Sequence, residues 1–91
     1  GILDDGSTDG IIAEAFIKID ENKGNTNKQI EIANELNKTM GKFLKEAKIQ
    51  LISGFQNTLE QFTKNYENFF PYKQSNVPKA IKEFKKRNLI R

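Results

Sequence analysis

The stretch LISGFQ, residues 51–56, decides how this chain of 91 residues folds, because Ser53 and Gly54 fall in the middle of its longest amphipathic run. A glycine in a helix interior costs only about 1 kcal/mol relative to alanine, so a break there is inexpensive. The pattern on either side argues for continuity. From Asn27 to Phe70 there is no proline, and apolar residues recur at every third or fourth position: Ala33, Leu36, Met40, Leu44, Ala47, Leu51, Phe55, Leu59, Phe62, Tyr66 and Phe69. This spacing closes on eleven residues in three turns, nearer to a straight α-helix than to a left-handed coiled coil. The phase passes through Gly54 unchanged, and no polar cluster beside it supplies a turn. The expectation is an all-α fold: a long central amphipathic helix over about 27–70, with shorter N- and C-terminal helices folding back on it. The alternative is a four-helix bundle or hairpin with a turn near Ser53–Gly54.

The two readings differ in what they leave uncovered. A helix over 27–70 would be about 66 Å long, and flanking helices of about 22 and 21 Å could not cover its whole stripe. Leu51, Phe55, Phe62 and Tyr66 would then form an edge for a second copy or a helical protein partner. Phe70 and Tyr72 join them as interface candidates, since large rings beside Pro71 retreat poorly into a helical core. A turn at Gly54 would instead close the bundle and weaken the drive to associate.

Towards the N-terminus, residues 1–8 read as a flexible lead-in. DGIIAEAFIKIDENKG (9–24) then places Ile11, Ile12, Ala15, Phe16 and Ile19 on one helical face, with Asp9 as N-cap and Gly24 as the stop. AFIKID could also be a strand, but no second strand-like run is available to pair with it. Towards the C-terminus, Pro71 and Pro78 bracket a polar connector, residues 71–77. Pro78 suits the first turn of a last helix whose apolar face is Val77, Ala80, Ile81 and Phe84. The whole, residues 1–91, is expected to be a single helical domain near the lower size limit for an unaided core.

Charge is distributed as a gradient. Residues 1–37 carry three basic and eight acidic side chains, residues 38–72 five and three, and residues 73–91 seven and one. The basic end makes Lys79, Lys82, Lys85, Lys86 and Arg87 candidates for nucleic-acid binding, although aromatics are not interleaved with them and no helix-turn-helix precedes them. Glu83 is placed to pair with Arg87 at the i, i+4 spacing.

Composition narrows the chemistry. With no cysteine and no histidine there is no disulfide, thiolate zinc site, cysteine nucleophile or imidazole base. DDGSTDGII (4–12) imitates the start of a calcium loop, but the twelfth position from Asp5 is Phe16, where a bidentate carboxylate is required. Glu31 and Glu35 share a helical face among lysines, with nothing evident to tune them for acid–base work. No apolar run approaches the roughly 20 residues needed to cross a bilayer. Neither catalytic residues nor a cofactor or metal is expected, and the compartment stays open.

In size, helicity and a Ser-Gly-Phe at 53–55, the chain resembles in outline the WXG-type secreted helical hairpins. It departs from their motif in having Phe55 after the glycine and no tryptophan before it. The eleven-residue period is similar to that of exchangeable lipid-binding apolipoproteins, a pattern shared by many long helices. These outlines assign no family and imply only a further alternative, a small secreted helical effector or lipid-surface-binding protein. The leading expectation is a non-enzymatic helical interaction or assembly module, self-associating or partnered. Its rival is a nucleic-acid-binding module.

Overall fold

The computed structural model describes residues 7–46, 48–49, 54–65 and 76–90. Among these there are four α-helices and no strand: α1 (Thr8–Glu21), α2 (Thr26–Glu46), α3 (Phe55–Asn65) and α4 (Val77–Lys86). The expected all-α architecture is present, in its alternative form, a helical bundle, rather than as a rod. The radius of gyration is 12.0 Å and the longest extent 35 Å, against the roughly 66 Å that a helix over 27–70 would need.

The single long helix is therefore corrected, and the correction has a local physical cause. After Glu46 the backbone of Lys48 turns left-handed, at φ 58°. Its N–H donates to the Lys45 carbonyl at 3.1 Å, and the Ile49 N–H donates to the Leu44 carbonyl at 2.8 Å. These two bonds form a Schellman closure, in which the last carbonyls of a helix are satisfied by the chain turning back over them. The two residues that this motif brings together, Leu44 and Ile49, are both buried in the same core cluster. Ile49 lies off the eleven-residue stripe, and an apolar residue five positions beyond Leu44 is what converts a helix into a stop. The same motif ends α4: Asn88 has φ 60°, its N–H donates to the Lys85 carbonyl, and the Leu89 N–H donates to the Phe84 carbonyl at 2.9 Å. α3 then begins after Gly54, whose φ of 111° favours glycine and whose carbonyl accepts from Asn57 and Thr58.

With the chain broken there, α1 becomes the central helix. Ile12, Ala13, Phe16, Ile17 and Ile19 are all buried, and Ile11 and Ala15 pack against the core from its edge. Apolar side chains thus surround most of its circumference, as expected of a helix flanked by others rather than one lying on a surface. Phe16 is the meeting point. Its ring lies 5.5 Å from Phe62 and 6.3 Å from Phe55, both edge-on from α3, and 6.5 Å from Phe84 of α4. Phe62 and Phe84 complete the cluster at 6.4 Å. Edge-to-face geometry of this kind adds about 0.5–1.5 kcal/mol per pair beyond the area buried.

The start of α1 also differs from expectation. Ser7 is the N-cap, its hydroxyl accepting from the Gly10 N–H at 3.2 Å, so Ser7 and Thr8 belong to the helix start rather than to a lead-in. Asp9, expected as the cap, is inside the first turn and buried. Its Oδ1 accepts from the Gly10 N–H at 2.9 Å, and its Oδ2 accepts from the Asn76 N–H at 2.6 Å. Asn76 is the N-cap of α4. One carboxylate therefore serves the N-terminal ends of two helices, where unpaired backbone N–H groups carry partial positive charge. Between α1 and α2, Gly24 takes φ 83°, Asn25 Oδ1 accepts the Lys28 N–H, and the Gln29 side chain donates to the Ile19 carbonyl at 3.0 Å.

The fold makes opposite-signed demands from those of a continuous helix. Were Gly54 in a helix interior, Gly54→Ala would stabilise the protein by about 1 kcal/mol; in this fold it destabilises by about 1–2 kcal/mol, because alanine resists a positive φ. Lys48→Gly has the reverse sign and stabilises by about 1 kcal/mol. Urea unfolding of the two variants beside the parent measures both.

Candidate functional site

α1 meets α2 along a strip built from Ile11, Glu14, Ala15 and Lys18, which the three- and four-residue spacing stacks on one side of the helix. α2 answers with Glu31, Ile32, Glu35, Leu36 and Thr39, again on one side. Between them lies a half-open groove of ≈ 380 Å³. Its floor is apolar: Leu36 is buried, and Ile11, Ala15 and Ile32 pack against the core while keeping part of their surface open. Its rim is charged, with three carboxylates against the ammonium of Lys18. Glu31 pairs with Lys28 at 3.6 Å, but both side chains are largely in water, so that pair is weak. Such a groove accepts apolar side chains and orients cationic ones. It presents no nucleophile and base in mutual contact, and among the described residues no group of three or more His, Cys, Asp or Glu is disposed to hold a metal ion.

The sequence-derived interface candidates divide. Phe62 is fully buried in the aromatic cluster, and Phe55 is half-buried against Phe16. Their rings are used inside the chain, because α3 is a helix separate from α2 and packs its aromatic side chains on Phe16 of α1. Leu51, Tyr66, Phe70 and Tyr72 lie outside the described residues, as does the connector up to residue 75. Sequence reading passed over the groove because Glu14 and Lys18 are separated from Glu31 and Glu35 by a turn and look like two solvated faces. The one available signal was Ile32, an apolar residue beside the stripe rather than on it.

The basic candidates also divide. Lys79, Lys82, Lys85 and Lys86 are exposed, and none makes an ion pair among the described residues. Lys79, Lys82 and Lys86 follow the i, i+3, i+7 spacing and so form a ridge. Arg87 is spent differently. Its Nε donates to Glu83 at 3.0 Å, and its two terminal nitrogens reach Asp20 at 3.3 Å and Glu21 at 3.4 Å. The Glu83 bond is the main influence raising the Arg87 pKa. Asp20 is buried, and its other oxygen lies 3.0 Å from the Lys23 ammonium, which offsets its charge without hydrogen-bond geometry. Arg87 thus clamps the end of α4 to the end of α1.

α4 engages α1 through the strip holding Asp9, Phe16 and Asp20, whereas the groove uses Ile11, Glu14, Ala15 and Lys18. At 3.6 residues per turn these strips lie on opposite sides of α1. The acidic groove and the lysine ridge are accordingly separate surfaces. No family model, curated protein or solved structure matches the chain.

The clamp and the ridge respond differently to mutation. Arg87→Ala leaves the buried Asp20 carboxylate short of a partner and lowers stability by about 1–3 kcal/mol, while Lys85→Ala on the same helix changes it by less than about 0.5 kcal/mol. Thermal denaturation followed by circular dichroism separates the two.

Proposed function

We propose that this chain is a non-enzymatic helical interaction module whose docking surface is the α1–α2 groove. The observation that carries the reading is the apolar floor of Ile11, Ala15, Ile32 and Leu36, left half-open between two packed helices and bordered by charge. Concave apolar surface with a polar rim is where proteins bind helices and peptides. The aromatic edge expected from sequence is a weaker basis for association, because Phe62 and Phe55 pack on Phe16. The test is selection of a displayed helical-peptide library on the parent protein, with Ile32→Glu as the counter-target. Peptides that bind the parent and lose about 1–3 kcal/mol on the variant support the reading. Enrichment of none, or of peptides indifferent to Ile32, removes it.

A second reading rests on the ridge: four exposed lysines without ion pairs suit phosphate contact, and the chain is a polyanion-binding module. In that case labelled single-stranded DNA or RNA binds with an affinity that falls steeply with salt, and the triple change of Lys82, Lys85 and Lys86 to glutamate abolishes it. Absent or salt-insensitive binding removes this reading.

A further inference from the structure

The rim and floor of the groove together specify what fits it. Resting on the docking reading above, we propose that its occupant is a cationic amphipathic helix of another protein, two to three turns of which lie along the groove. Length comes first. The α1 wall runs from Ile11 to Lys18 and the α2 wall from Glu31 to Thr39, so each is about 10–12 Å long at the helical rise. That accommodates two turns in full contact and a third at the mouth.

Charge comes second. The chain as a whole carries +3, yet the lining of this groove holds three carboxylates, Glu14, Glu31 and Glu35, and one lysine, Lys18. Glu35 makes no ion pair among the described residues, and Glu31 is held only by the water-exposed Lys28. A lysine- or arginine-flanked helix supplies cations to Glu31 and Glu35, whereas an acidic one is repelled, so the rim selects by sign.

A second copy of this chain is a poor occupant. Its one strongly cationic helix, α4, already buries Val77, Ala80 and Phe84 completely. The face it shows to solvent is dominated by ammonium groups, and its one part-open large apolar side chain, Ile81, is already packed against the core. The occupant must bring both properties on one helix, lysine or arginine beside leucine-like side chains.

The experiment uses the full chain and three fluorescein-labelled peptides of about four turns. One has leucines at the i, i+3/i+4 spacing flanked by lysines, one has the lysines replaced by glutamates, and one is a scramble of the first without a stripe. Anisotropy should show binding of the first alone. The double variant Glu31→Lys/Glu35→Lys, whose changes are on exposed positions, should weaken it about tenfold or more and gain binding of the glutamate peptide. Ile32→Glu should abolish both. Equal binding of the lysine and glutamate peptides, with loss on Ile32→Glu, overturns the cationic assignment and leaves the groove reading standing. Binding of the scramble as tightly as the striped peptide reduces the effect to unspecific charge attraction and overturns the proposal. So does a concentration-dependent dimer of the parent that Ile32→Glu dissolves in sedimentation, which would make a second copy the occupant.

Discussion

Phe62 reaches Phe16 because α2 closes after Glu46 and a separate helix, α3, begins at Phe55. The stop is made by two hydrogen bonds, Lys48 to Lys45 and Ile49 to Leu44, and by the burial of Leu44 and Ile49 in the same core cluster. Everything else in the core follows from that closure. Without it the aromatic rings of α3 would lie far from α1, and Phe16 would keep Phe84 but lose Phe55 and Phe62. With it, a helix whose sequence is apolar nearly all round acquires neighbours on α2, α3 and α4. A left-handed lysine opposes the closure locally, and the burial of two large side chains outweighs it.

Ionic and polar ties then hold the bundle at its two ends. At one, Asp9 accepts from the backbone N–H groups at the starts of α1 and α4. At the other, Arg87 joins α4 to the carboxylates closing α1. The charge gradient along the chain is thereby partly cancelled inside the fold. What remains includes two groups on opposite sides of α1, the lysines of α4 and the carboxylates beside the groove. That remainder is open to a partner, whereas charges already satisfied within the chain are not.

How the two basic groups on α4 diverge illustrates why a residue's type underdetermines its role. Lys86 and Arg87 are adjacent in sequence and both cationic. A rotation of one residue about the helix axis carries Arg87 to the flank facing α1, where the planar guanidinium can address three carboxylates at once. Lys86 stays on the solvent side. Which of the two contributes to a binding surface depends on the packing of α4, and that is set by Val77, Ala80 and Phe84.

Several features were legible in the residues themselves: helical class, the apolar faces of α1 and α4, the Pro78 start, and the i, i+4 pairing of Glu83 with Arg87. Each depends on contacts within one helical turn or on a period along one helix, and both are written in residue order. The break after Glu46 was only faintly written, since the five-residue step from Leu44 to Ile49 carries no glycine to announce it. The groove, the Asp9 tie and the choice of α1 as the central helix were decided by tertiary structure alone. Each needs side chains from separate helices to meet, and a periodic stripe states how much surface must be buried without stating which helix will bury it.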